Sequence, residues 1–130
     1  MEEKISLINK TKTNLPVSKL VFVNIKNDVL GKDYDLSLVF VGNKLSQKIN
    51  KENREKDYPA NVLSFPLDKN LGEIFINLEN AKEECVDFNM DYENFIVYLF
   101  IHGLLHLKGM DHSSKMDSEE RKICKKFNIS

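Results

Sequence analysis

The stretch HGLLHLKGMDH, residues 102–112, holds all three histidines of the 130-residue chain. His102 and His106 are four apart, so on an α-helix they project from one face with about 6 Å between them. Gly109 stands where such a helix can stop, and a chain that turns back there brings His112 toward the first two from the side. Three neutral imidazoles suit one Zn²⁺ per chain and leave a coordination position for water. Ni²⁺ and Co²⁺ accept the same donor set. Histidine pairs at helical spacing are often incidental. The third histidine, the glycine between, and the concentration of every histidine in eleven residues favour the metal.

The spacing is similar to the HExxHxxGxxH helix of the metzincin peptidases, with one departure. Gly103 occupies the position of their glutamate general base. A glycine cannot take a proton, so peptidase chemistry by that route is not expected. The form with glycine, H-G-x-x-H-L-x-G-x-D-H, resembles the YbeY family of bacterial rRNA maturation factors.

A second block, NREKDYPANVLSFP (residues 53–66), strengthens that resemblance. Arg54 falls on an arginine of the family that lies by the metal and serves activity. Lys56 and Asp57 fall on its following lysine and aspartate. Asn53 stands where a tyrosine is usual, and Ala60 where a threonine is common. LGEIFIN (residues 71–77) is similar to the family's LGDIFI, with Glu73 for aspartate, and Met116 with Glu119 or Glu120 fits its closing helix. The resemblance implies a metal-dependent endoribonuclease that cuts single-stranded RNA. Its substrate would be precursor 16S rRNA near the 3′ end, in ribosome maturation and quality control, with the ribosome as partner and no DNA substrate.

Composition bounds this reading. With 42% hydrophobic and 30% charged residues, the 130 positions are expected to form one globular domain over residues 1–130. A net charge of -1 gives no global attraction for nucleic acid, so RNA must be held locally. Between residues 43 and 57 the bases Lys44, Lys48, Lys51, Arg54 and Lys56 outnumber Glu52, Glu55 and Asp57. Lys44, Lys48, Lys51 and Lys56 are therefore candidate RNA-binding residues, although a solvated helix face accounts for them equally well. The segment 68–93 is acidic and a poor surface for phosphate. Cys85 and Cys124 do not make a disulfide scaffold. With no apolar run of about 20 residues and no signal-like N-terminus, a cytoplasmic protein away from membranes is expected.

Patterning predicts an α+β fold: a small mixed sheet of about four strands packed with about five helices. Strands are expected at 4–8, 34–41, 61–65 (closed by Pro66) and 71–77, the last two forming a hairpin. Helices are expected over 17–29, 43–53, 79–89, 91–108 and from Ser113–Ser114 onward. In the first, Val17, Leu20, Val21, Asn24 and Ile25 form the inner stripe. In the second, Asn43 caps while Leu45 and Ile49 face inward. Asp91 caps the central helix, which carries the first two ligands and is apolar all round, so other elements must cover it. Gly103 inside that helix costs roughly 1 kcal/mol against alanine. Close approach by a strand, by substrate or by a site water would account for it, as would tight packing.

Arg54 offers a fork of donors to the scissile phosphate, an electrostatic catalytic role. Asp111 either orients an imidazole from outside the ligand set or fixes the turn at Gly109. Glu73 is read as a solvated edge carboxylate. Two rival readings stand beside the nuclease: a metallohydrolase acting on a peptide or small ester, and a non-catalytic ribosome-associated assembly factor.

Overall fold

The apolar end of the second strand lacks polar alternation because both of its faces are covered: Val39, Phe40 and Val41 are all buried. The structure is a computed structural model and describes residues 4–130. The elements run β1 (Ile5–Asn9), α1 (Lys19–Leu30), β2 (Asp35–Val41), α2 (Asn43–Arg54), β3 (Val62–Asp68), β4 (Leu71–Asn77), α3 (Leu78–Glu84), α4 (Tyr92–Leu107) and α5 (Ser114–Lys126). Among the described residues the four strands form one sheet in the order β1-β2-β4-β3. β1, β2 and β4 are parallel, and β3 returns antiparallel to β4 as the expected hairpin. The fold is α+β, with five helices on a small mixed sheet.

α4 is the central element. It packs on β3 and β4 and also touches α1, α3 and α5, which is why its apolar residues occur all round. Phe95, Ile96, Phe100, Ile101 and Leu104 are fully buried on it, each contributing about 1.5–3 kcal/mol of apolar transfer. Asp91 caps it, its carboxylate accepting from the Asn94 N–H at 2.8 Å. α5 opens similarly on Ser113, whose hydroxyl accepts from the Met116 N–H at 3.2 Å. An ion pair from Lys126 to Asp28 ties α5 back to α1.

Four local expectations are corrected. α1 starts at Lys19 and is phased differently: Leu20 is 62% exposed and Asn24 is exposed, while Phe22, Val23, Ile25, Lys26 and Val29 face inward. Phe22 sets the phase, packing edge-on against Phe100 with ring centroids 4.9 Å apart and lying 5.8 Å from Phe40. On α2 the fully buried residues are Ser46 and Asn50, with Leu45 and Ile49 only half-buried. Asn43 lies inside that helix, whose cap is Gly42, and the Asn43 side chain accepts from Asn77 Nδ2 at 2.8 Å. Third, β3 runs past Pro66 to Asp68, which is allowed because β3 is an edge strand and its register breaks between Pro66 and Asp68. α3 ends at Glu84, and the segment up to Asn89 is turn rather than helix.

Candidate functional site

The end of α4 builds the site. Gly109, at φ 98°, occupies the left-handed position that stops the helix. The Gly109 N–H donates to the His106 carbonyl and the Met110 N–H to the Leu105 carbonyl, both at 3.0 Å. This is a Schellman closure, and it turns the chain so that His112 comes back over the helix. The ring centroids of His102, His106 and His112 lie 4.7, 5.1 and 4.8 Å apart pairwise. One ligand nitrogen from each falls within 4.8 Å of the others. The first two rings are half-buried and His112 is exposed.

The hydrogen bonds fix how these rings are used. His106 Nδ1 lies 3.0 Å from the Met110 carbonyl, which can only accept, so Nδ1 carries the proton. His102 Nδ1 lies 2.7 Å from Glu120 Oε2, and the carboxylate likewise takes a proton donor. With Nδ1 so engaged, each ring in its ligand form turns a bare Nε2 inward, and these two nitrogens are 3.1 Å apart. Two facing lone pairs repel unless something positive sits beside them. A cation between them and His112 relieves that repulsion, so the group can hold a metal ion. Burial and the charge of His102 hold His106 below its ordinary pKa, the Met110 carbonyl opposing them; this favours the neutral ligand form. Burial pushes Glu120 upward, but hydrogen bonds from His102 and Tyr98 and the neighbouring imidazoles outweigh it and hold the carboxyl below the usual glutamate value.

Gly103 lies against the sheet. A Cβ there would meet Ser64 Oγ at 3.0 Å and the Ile74 side chain at 3.2 and 3.3 Å. Of the reasons open for this glycine, close approach by strands is the one the structure contains. Ser64 then links both sides: its hydroxyl donates to the Gly103 carbonyl at 3.0 Å, and its own carbonyl accepts from Arg54 Nη2 at 3.0 Å. The Arg54 guanidinium also lies 5.4 Å from the Phe65 ring centroid. Arg54 is thus held at one end of its fork, and its charge reaches His106.

His102, His106, His112, Arg54, Lys56 and Asp111 all line one cleft of about 800 Å³. Its wall also includes Asn50, Tyr58, Asn61, Asn80 and Glu84. That wall is set by the buried polar face of α2: Ser46 Oγ donates to the Ala60 carbonyl at 2.7 Å and Asn50 Nδ2 to the Tyr58 carbonyl at 2.9 Å. Lys44, Lys48 and Lys51 are exposed on α2 and do not line the cleft; Lys51 lies 3.9 Å from Asp57. Glu73 is half-buried on β4, also outside the cleft.

The family model described as "Endoribonuclease YbeY" matches residues 2–128. This chain belongs to the YbeY family. A YbeY protein from Ehrlichia canis (strain Jake), named Endoribonuclease YbeY, is 48% identical over 87 residues, covering 63% of this chain and 56% of its own length. One of the same name from Campylobacter jejuni (strain RM1221) is 41% identical over 103 residues, 73% of this chain and 76% of its own. The chain spans 56% to 66% of the length of its Ehrlichia relatives. The solution structure of TM1509 from Thermotoga maritima superposes with a TM-score of 0.66 at 25% identity, covering 95% of this chain and 88% of that one.

Within this YbeY chain, sequence reasoning missed the partners that orient the imidazoles. Asp111 is exposed, and among the described residues its side chain makes no hydrogen bond to an imidazole; its carbonyl accepts from the Ser113 hydroxyl at 3.1 Å. The partner of His102 is Glu120, eighteen residues on and only 7% exposed. Tyr98, one turn before His102 on α4, donates its hydroxyl to the same carboxylate. The available signal was an acidic residue at an inward position of α5, four after Met116.

Proposed function

We propose that this chain is a zinc-dependent endoribonuclease that cuts single-stranded RNA, with precursor 16S rRNA near its 3′ end as substrate and the ribosome as partner in the cytoplasm. One observation carries the reading. The facing Nε2 atoms of His102 and His106, 3.1 Å apart, and Arg54 belong to the same open cleft. A phosphodiester lying there meets a cation site and a guanidinium together. The names of the relatives support RNA as that phosphodiester.

When bound, the ion supplies a Lewis acid toward a phosphoryl oxygen and lowers the pKa of a coordinated water. Glu120 and Met110 hold the two helix imidazoles with Nε2 turned to the cleft. Arg54, fixed at one nitrogen by the Ser64 carbonyl, offers its remaining donors to the charge that develops on phosphate. Lys56 adds a second positive charge along the cleft.

A peptide substrate is disfavoured by the same arrangement. An extended peptide pairing with edge strand β3 needs free main-chain groups, whereas Arg54 occupies the Ser64 carbonyl and Pro66 offers no N–H. No helix is long and apolar enough to cross a membrane among the described residues.

The test compares zinc-loaded protein with His106→Ala prepared identically, on single-stranded and duplex RNA. The expected result is cleavage of the single strand only, reduced at least about a hundredfold in the variant. Equal rates for the two preparations would overturn the nuclease reading.

A further inference from the structure

We infer that the wall of the cleft formed by Asn61, Asn80 and Glu84 is a nucleobase subsite that takes guanine in preference to uracil; this rests on the ribonuclease reading. The cleft is divided by hydrogen-bonding character. Arg54 and Lys56, donors only, are its lysine and arginine residues. Glu84 lines it too, half-buried, with Oε1 accepting from Asn61 Nδ2 at 3.0 Å. Among the described residues its other oxygen has no partner and it makes no ion pair. Asn80, also in the lining, has a buried Oδ1 without a hydrogen-bond partner. The two anchors, Ser64 on β3 for Arg54 and Asn61 in the bend just before β3 for Glu84, are three residues apart, at most about 10 Å. One nucleotide covers that span from phosphate to base edge.

A carboxylate in a cleft for a polyanion repels phosphate, so a nucleic acid there must present it with donors. Guanine presents N1–H and the N2 amino group side by side, a match for one carboxylate held in place by Asn61. Adenine and cytosine present a single amino group. Uracil presents N3–H between two carbonyl oxygens, both of which face the carboxylate unfavourably. Tyr58, 52% exposed in the lining of the same cleft, adds a ring face on which a base can stack whatever its identity.

Binding of GMP and UMP to the full chain, followed by NMR at the Asn61 side-chain amide, tests this apart from catalysis. GMP is expected to bind about tenfold more tightly than UMP, with Glu84→Gln, which retains an acceptor for Asn61, closing most of that gap. Equal affinities for the two nucleotides, or a gap that Glu84→Gln leaves intact, would overturn the subsite. Cleavage of oligoribonucleotides differing at one position is scored separately. Discrimination between GMP and UMP without any RNA cleavage upholds the subsite and sinks the nuclease reading. Cleavage with no discrimination in the binding measurement does the reverse.

Discussion

Glu120 Oε2 lies 2.7 Å from His102 Nδ1, so a residue of the last helix sets the orientation of an imidazole on the central one. The carboxylate also takes the Tyr98 hydroxyl, and both of its contacts are to α4. Such a partner fixes the ring tautomer and raises the basicity of the inward nitrogen. Glu120→Gln should therefore weaken zinc binding about 10- to 100-fold, measured by competition with a chromophoric chelator. Glu120→Ala should weaken it further and also lower stability, because it leaves His102 and Tyr98 without their acceptor. Wild-type zinc affinity in Glu120→Gln would refute the orienting role.

Gly103→Ala should destabilise the protein by up to about 2 kcal/mol net in denaturant unfolding. The new methyl would enter contacts of 3.0 to 3.3 Å with Ser64 and Ile74, and overpacking of that kind costs about 1–3 kcal/mol, set against roughly 1 kcal/mol of helix propensity regained. Ile74 is fully buried and Ser64 nearly so, which leaves neither room to withdraw. A variant as stable as wild type would show that the sheet relaxes there.

Arg54→Lys keeps a positive charge but cannot both hold the Ser64 carbonyl and present a planar fork to phosphate. RNA cleavage should fall about a hundredfold or more in kcat. Because Arg54 is exposed, the melting temperature and zinc content should change little. Cleavage at the wild-type rate would remove Arg54 from the chemistry.

Lys26 is 1% exposed on α1, and among the described residues its ammonium reaches only Asn27 Oδ1 and the Lys32 carbonyl, each at 3.3 Å. Burial lowers its pKa below the ordinary 10.5, more than the attraction of Asp35 restores. Between the lowered folded value and 10.5 the unfolded chain binds more protons than the folded one, so this group's contribution to stability rises with pH. Below the lowered folded value the full penalty is present. Lys26→Met should accordingly raise stability near pH 7 by about 1 kcal/mol, and its advantage over wild type should shrink as pH rises toward 10.5. The comparison cancels Tyr34, Tyr92 and Tyr98, whose pKa values burial raises in both proteins. A constant difference across that range would mean the lysine is solvated.

What could be read from local pattern was what depends on few neighbours. The i, i+4 histidines on α4, the stop at Gly109, the Asp91 and Ser113 caps and the β3–β4 hairpin all follow from backbone geometry within a handful of residues. The family, too, was legible in residues 54–66, 71–76 and 102–112. Tertiary contact decided the rest. Phe22 turned α1 to meet Phe40 and Phe100, exposing Leu20. Packing of α4 on the sheet made Gly103 a contact with Ser64 and Ile74. Folding α5 back brought Glu120 to His102 across eighteen residues, and β3 brought Ser64 to Arg54. Periodicity tells which way a side chain points relative to its own helix axis, but a polar partner from a different element is fixed only when both are buried together and each needs the other's hydrogen bond.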